Sequence, residues 1–134
     1  MSLSKNSDYL LLFRGTQWDK GLAPEEIQKM LGQFMGWLDR LTQEGIVKGA
    51  SPLASTGKVV SGKQGRNVAD GPFNEAKEAV GGYFLIQAEN LDAAVAIAKQ
   101  CPMLEQGLIV EVRPVAQQCP TMQRLNENLS SVVA

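Results

Sequence analysis

Three features of the chain predict an α+β fold. Tyr9-Leu10-Leu11-Leu12-Phe13 and Tyr83-Phe84-Leu85-Ile86 are apolar on both parities, as strands with two buried faces require. Between Pro24 and Leu41 the apolar residues instead recur at steps of three and four, the period of a long amphipathic helix. A shorter stretch of that period, residues 91–101, leads into an alternating run at residues 108–115. The order is strand, long helix, strand, hairpin, strand, helix, strand: the βαββαβ plan of ferredoxin-like folds with a β-hairpin inserted in its middle.

Each element has a local cause. Asp8 and Arg14-Gly15 bound the first strand, and a polar loop carrying Trp18 follows it. Ala23-Pro24-Glu25-Glu26 then places proline at the first helical position and two acids in the first turn, although Ala23 is a poor cap. Ile27, Leu31, Phe34, Leu38 and Leu41 form the buried stripe, which Met30 and Trp37 widen, and Gly45 ends the helix. Met30, Met35 and Trp37 are read as core or flanking residues. Residues 46–50 suit a second strand. Lys58-Val59-Val60 and Arg66-Asn67-Val68 flank Ser61-Gly62-Lys63-Gln64-Gly65, the pattern of an exposed hairpin. Asn90 caps the second helix, whose face carries Leu91, Ala94, Val95, Ala98 and Cys101, and Pro102 stops it. In the last strand Leu108, Val110 and Val112 share one face, while Ile109, Glu111 and Arg113 share the other. The domain is expected to span residues 1–115. Residues 116–134 form a charge-poor tail in which Met122, Leu125, Leu129 and Val132 can dock as a short helix.

Composition narrows the function. A chain of 134 residues has room for one domain. Thirteen basic against fourteen acidic residues, without long runs of either, favour neither nucleic acid nor an anionic membrane as a direct partner. The only apolar run near the N-terminus, residues 9–13, is too short for a signal sequence or a span, so a cytoplasmic protein is expected. Cys101 and Cys119 read as reduced thiols, Cys101 as a small core residue. The chain has no histidine, which excludes Ser-His-Asp and Cys-His centres and imidazole metal ligands. No metal or cofactor is called for.

Two helices cover only one face of a four-stranded sheet. Leaving the large side chains of the other face in water forfeits about 1.5–3 kcal/mol each. A homodimer, sheet against sheet, is therefore expected, with Glu111 and Arg113 inside or at the rim of a cleft between the protomers.

Several short motifs carry chemical meaning. Residues 57–63 fit G-x-x-x-x-G-K, but Gln64 stands where a phosphate loop needs Ser or Thr and no helix follows, so a glycine-turned hairpin is preferred. Asp70-Gly71-Pro72-Phe73 reads as a rigid corner, whose carboxylate either caps backbone or faces a ligand. Lys77-Glu78 and then Gly81-Gly82-Tyr83 place two charges, a close-approach dipeptide and a phenol ahead of a buried strand. Glu111 and Arg113 pair with neighbours or line the cleft, where the guanidinium of Arg113 suits an acidic ligand. Trp18 is either a lid over the cleft or a residue packed on the helix end.

Asp70-Gly71-Pro72-Phe73, Lys77-Glu78, Gly81-Gly82-Tyr83, Cys101-Pro102 and Glu111-Val112-Arg113-Pro114-Val115, in that order, resemble the YCII-related, DGPF-domain proteins over residues 9–115. The resemblance implies a dimeric α+β barrel with a cleft near the DGPF corner. Better-studied relatives have a His/Asp pair as an acid–base centre, and only the Asp half can exist here. Some members carry a transcription-associated label. The expected function is a homodimer binding a small anionic metabolite. Arg113, Glu78 and Glu111 are the expected ligand contacts. If a reaction is run, Asp70 is the proton acceptor and Tyr83 or Lys77 the donor. The alternative is a non-catalytic, partner-binding or regulatory protein that docks through its tail.

Overall fold

The computed structural model describes residues 6–71 and 78–133. In chain order its elements are β1 (Ser7–Arg14), α1 (Pro24–Gln43), β2 (Val47–Pro52), β3 (Lys58–Ser61), β4 (Asn67–Asp70), β5 (Val80–Ala88), α2 (Leu91–Ala98), β6 (Ile109–Pro114) and α3 (Pro120–Val133). The four long-range strands form one antiparallel sheet in the order β2-β5-β1-β6, the ferredoxin-like arrangement, and β3 pairs with β4 alone as the inserted hairpin.

The predicted starts and stops are realised with local adjustments. Ala23 has no capping side chain, and the Glu26 carboxylate reaches back instead, accepting the Ala23 N–H at 3.1 Å. Asn90 caps α2 as expected, its side-chain oxygen accepting the Ala93 N–H at 2.8 Å. α2 ends at Ala98 rather than continuing to Cys101, because Pro102 opens a short 3₁₀ segment (Pro102–Gln106) and the chain must turn into it first. β2 extends beyond residue 50 to Pro52, paired with Gly82. Gly62, Gln64 and Gly65 all have positive φ, which the tight hairpin tip between β3 and β4 requires.

The core lies between one sheet face and the two helices α1 and α2. Tyr9, Leu11 and Phe13 of β1 meet Phe84, Ile86 and Ala88 of β5, with Trp37 and Leu41 from α1 and Ala94 and Ala98 from α2. Phe13, Phe34, Trp37 and Phe84 form a cluster of edge-to-face and tilted rings with centroids 4.8–6.3 Å apart. One polar tie fastens the helices: the Gln100 side-chain oxygen accepts both the Trp37 indole N–H at 3.1 Å and an Arg40 guanidinium N–H at 2.7 Å.

The opposite sheet face has no element packed over it among the described residues. Register puts Leu10 beside Leu85 and Arg113, and Leu12 beside Tyr83 and Glu111. These residues are half-buried at most, apart from the exposed Arg113. β1 and β5 are thus apolar on both faces, as the sequence predicts, while the described residues cover only one. α3 forms from the tail, but every described side chain in it is exposed, including Met122, Leu125 and Leu129 at 48–53%. No helix among the described residues is long and apolar enough to cross a membrane.

Candidate functional site: an apolar cavity beside α1

β5 begins with Gly81-Gly82, and both glycines allow close approach. A Cβ on Gly82 would lie 3.0 Å from the Ser51 carbonyl oxygen and 3.3 Å from the Pro52 Cα; one on Gly81 would lie 3.1 Å from Thr16 Cγ2. The β1–α1 loop and the end of β2 therefore close onto the start of β5, where the Leu53 N–H donates to the Gly81 carbonyl at 2.9 Å. Residues 53–55 then continue past this junction toward α1.

Between that junction and α1 lies a cavity of about 570 Å³. α1 contributes Leu31, Phe34, Met35 and Leu38, the sheet contributes Phe13, Tyr83 and Phe84, and Trp18, Met103 and Leu108 lie around the rest. Its polar lining residues are Thr16, Ser51, Ser55 and Tyr83, and no lining residue is charged among the described residues. The Ser51 hydroxyl donates to the Pro52 carbonyl at 3.1 Å. Such a cavity is of the size and apolar character in which small-molecule sites are built.

The residues expected at the site are dispersed. Tyr83 lines the cavity, and Trp18 lines it while packing against the core. Asp70 is 88% exposed at the base of the hairpin, where it pairs with Lys58 across the two strands. Its neighbour Gly71 is buried, with its N–H donating to the Gly57 carbonyl at 3.0 Å and a side chain of Val59 where a Cβ would go. The corner thus serves the hairpin at this end. Glu78 is exposed in a turn and does not line the cavity. Pro72, Phe73 and Lys77 lie outside the described residues.

Glu111 and Arg113 lie on the open sheet face. Glu111 sits between two cations, Arg14 at 3.5 Å and Arg113 at 3.8 Å, so this strip carries one positive charge in excess. Lys48 pairs with Asp8 at 3.2 Å.

The other nucleophilic groups are separate from the cavity. Cys101 is buried, and burial pushes its thiol pKa up. Cys119 is exposed just before α3, and the backbone N–H groups of Met122 and Thr121 pull its thiol pKa down. Among the described residues no three His, Cys, Asp or Glu side chains come together as a metal site would need.

Most of the cavity lining was not singled out by sequence reasoning, because Phe34, Leu38, Phe84 and Leu108 read as ordinary core. The usable signal is excess width in the apolar stripe of α1. Leu31 and Met35 continue it, yet they are 45% and 51% exposed at the cavity mouth.

Fold and site together define a ferredoxin-like α+β domain with an apolar cavity beside its long helix and a sheet face that the described residues leave uncovered. Residues 8–121 match the model of the YCII-related domain, and the chain belongs to that family. No curated protein matches it closely enough to count as a relative.

Proposed function

We propose that the protein is a small-molecule-binding homodimer in which two copies join their open sheet faces and each keeps a ligand in the cavity beside α1. The cavity is the observation that carries this reading: about 570 Å³ of largely apolar space beside the close backbone approach at Gly81-Gly82. The dimer rests on Leu10, Leu12 and Leu85, an apolar centre flanked by the Arg14–Glu111–Arg113 strip and the Lys48–Asp8 pair, as interfaces are commonly built. The excess charge of that strip also supports the expected anionic group, held by Arg113 in the cleft between the sheets. Acid–base chemistry would rest, among the described residues, on Tyr83, which the register places beside Leu12 on the open sheet face. Two unpaired thiols suit a cytoplasmic setting.

Sedimentation equilibrium tests the dimer. The wild type should run as a dimer at micromolar concentration and Leu85→Glu as a folded monomer; a wild-type monomer overturns the interface. A thermal-shift screen of small metabolites tests the cavity, since a ligand at a hundred times its dissociation constant adds about 2.7 kcal/mol to stability. A panel without any stabilising compound counts against it.

A second reading is favoured by one observation, the exposed apolar row of α3. In it the protein is a non-catalytic adaptor that docks a partner through that helix. Removing residues 116–134 separates the two: ligand binding retained with loss of a partner supports the second.

A further inference from the structure

The β3–β4 ribbon stands apart from both the cavity and the open sheet face. Every residue of its two strands is exposed. Register sets Val60 opposite Val68 on one side and Val59 opposite Ala69 on the other, so apolar side chains meet water on both sides, the valines at 53–62% exposure. Among the described residues neither strand has a second neighbour. A ribbon of two short strands gains stability from a third, which pairs with the backbone groups of an edge and covers part of both apolar rows.

Charge selects what that third strand can be. In residues 57–71 Lys58, Lys63 and Arg66 stand against Asp70 alone, so the ribbon carries +2 in a chain of −1, and the remaining residues carry −3. Lys58 pairs with Asp70, whereas Lys63 and Arg66, at the tip, meet no carboxylate among the described residues. Two such ribbons repel one another, which opposes edge-to-edge pairing of copies, and an acidic strand is attracted. A nucleic acid would meet the cations and leave the valines without apolar contact.

We propose that the β3–β4 ribbon docks an extended acidic segment of another protein. The segment adds as a third strand, its β-branched side chains cover the valines, and its carboxylates meet Lys63 and Arg66. This interaction depends neither on a ligand in the cavity nor on the pairing of sheet faces.

Fluorescence anisotropy on the full chain tests it with four labelled probes. These are a nonapeptide with a valine–threonine core and glutamates at each end, the same peptide with lysines for the glutamates, the glutamate peptide with its core amides N-methylated, and a single-stranded RNA nonamer. The glutamate peptide should bind most tightly, about tenfold above the lysine peptide, the value of two exposed ion pairs made rather than opposed. N-methylation should abolish its binding, because the backbone donors are lost. Lys63→Glu combined with Arg66→Glu should reverse the ranking of the two charged peptides, a comparison within one protein that a loss of stability does not imitate. Bound glutamate peptide should also slow tryptic cleavage after Lys63 and Arg66. Tightest binding by the RNA, equal binding of the N-methylated peptide, an unreversed ranking in the double variant, or no binding of the glutamate peptide overturns the proposal.

Discussion

Replacing Gly82 with alanine tests the close backbone approach that forms one wall of the cavity. The new methyl carbon would sit 3.0 Å from the Ser51 carbonyl oxygen and 3.3 Å from the Pro52 Cα. Both obstacles are backbone in a paired strand, so neither can rotate away, and over-packing of this kind costs about 1–3 kcal/mol. The φ of Gly82 is not positive, so alanine also gains about 0.4–1 kcal/mol by restricting the unfolded chain. The midpoints of the two ranges leave a net loss of about 1.3 kcal/mol, or about 4–5 °C in melting temperature for a chain of this length. Gly36→Ala is the matched control. It lies in α1 with nothing within 4 Å of the added carbon, and it should raise stability by about 0.5–1 kcal/mol. Thermal unfolding by circular dichroism reads both. A Gly82→Ala protein that melts at or above the wild-type temperature would refute the close approach of β2 and β5, and with it the wall of the cavity.

Other expectations concern groups outside that wall. Gln100→Ala removes the acceptor shared by Trp37 and Arg40 and should cost about 1–2 kcal/mol in urea unfolding; a loss within error would mean that water replaces it fully. Cys119 should react with iodoacetamide at a lower pH than an ordinary thiol, because its pKa is lowered, while Cys101 reacts only after unfolding; equal rates would contradict the two environments. Because the folded pKa of Cys101 is raised, its contribution to stability is complete below the ordinary thiol pKa and is lost as pH rises through the raised value. Cys101→Ala should therefore flatten the fall in melting temperature between about pH 8 and pH 10. Asp70→Asn should change stability by less than about 1 kcal/mol, as expected of an exposed pair, and a larger loss would show that the carboxylate caps backbone beyond its contact with Lys58.

The order of elements was legible because hydrophobic period changes cleanly along the chain. Tyr9 to Phe13 and Tyr83 to Ile86 are uninterrupted, whereas Ile27 to Leu41 steps by three and four. The face assignment within β6 followed from strict alternation, which admits only two answers. The hairpin was readable as well, since Gln64 and the valines around it conflict with a phosphate loop. The cavity was not readable. Its lining comes from segments distant in sequence, and each apolar residue there is locally indistinguishable from core. Reasoning from charge selected Asp70, Glu78, Glu111 and Arg113, which are chemically conspicuous, and the fold distributes them to the hairpin, a turn and the open face. The glycine pair before Tyr83 was the one local mark of the junction, because a close approach of two backbones leaves a trace in residue size.

The β3–β4 ribbon leaves Val59, Val60 and Val68 more than half exposed and, among the described residues, pairs with no other strand. Two strands of four residues are barely stable by themselves, so this arm is expected to open and close independently of the main sheet. Its amides should exchange with deuterated solvent long before those of β1. Trypsin should find Lys63 and Arg66 at its tip while the sheet remains whole, and a nicked chain would keep its two fragments together through β5 and β2.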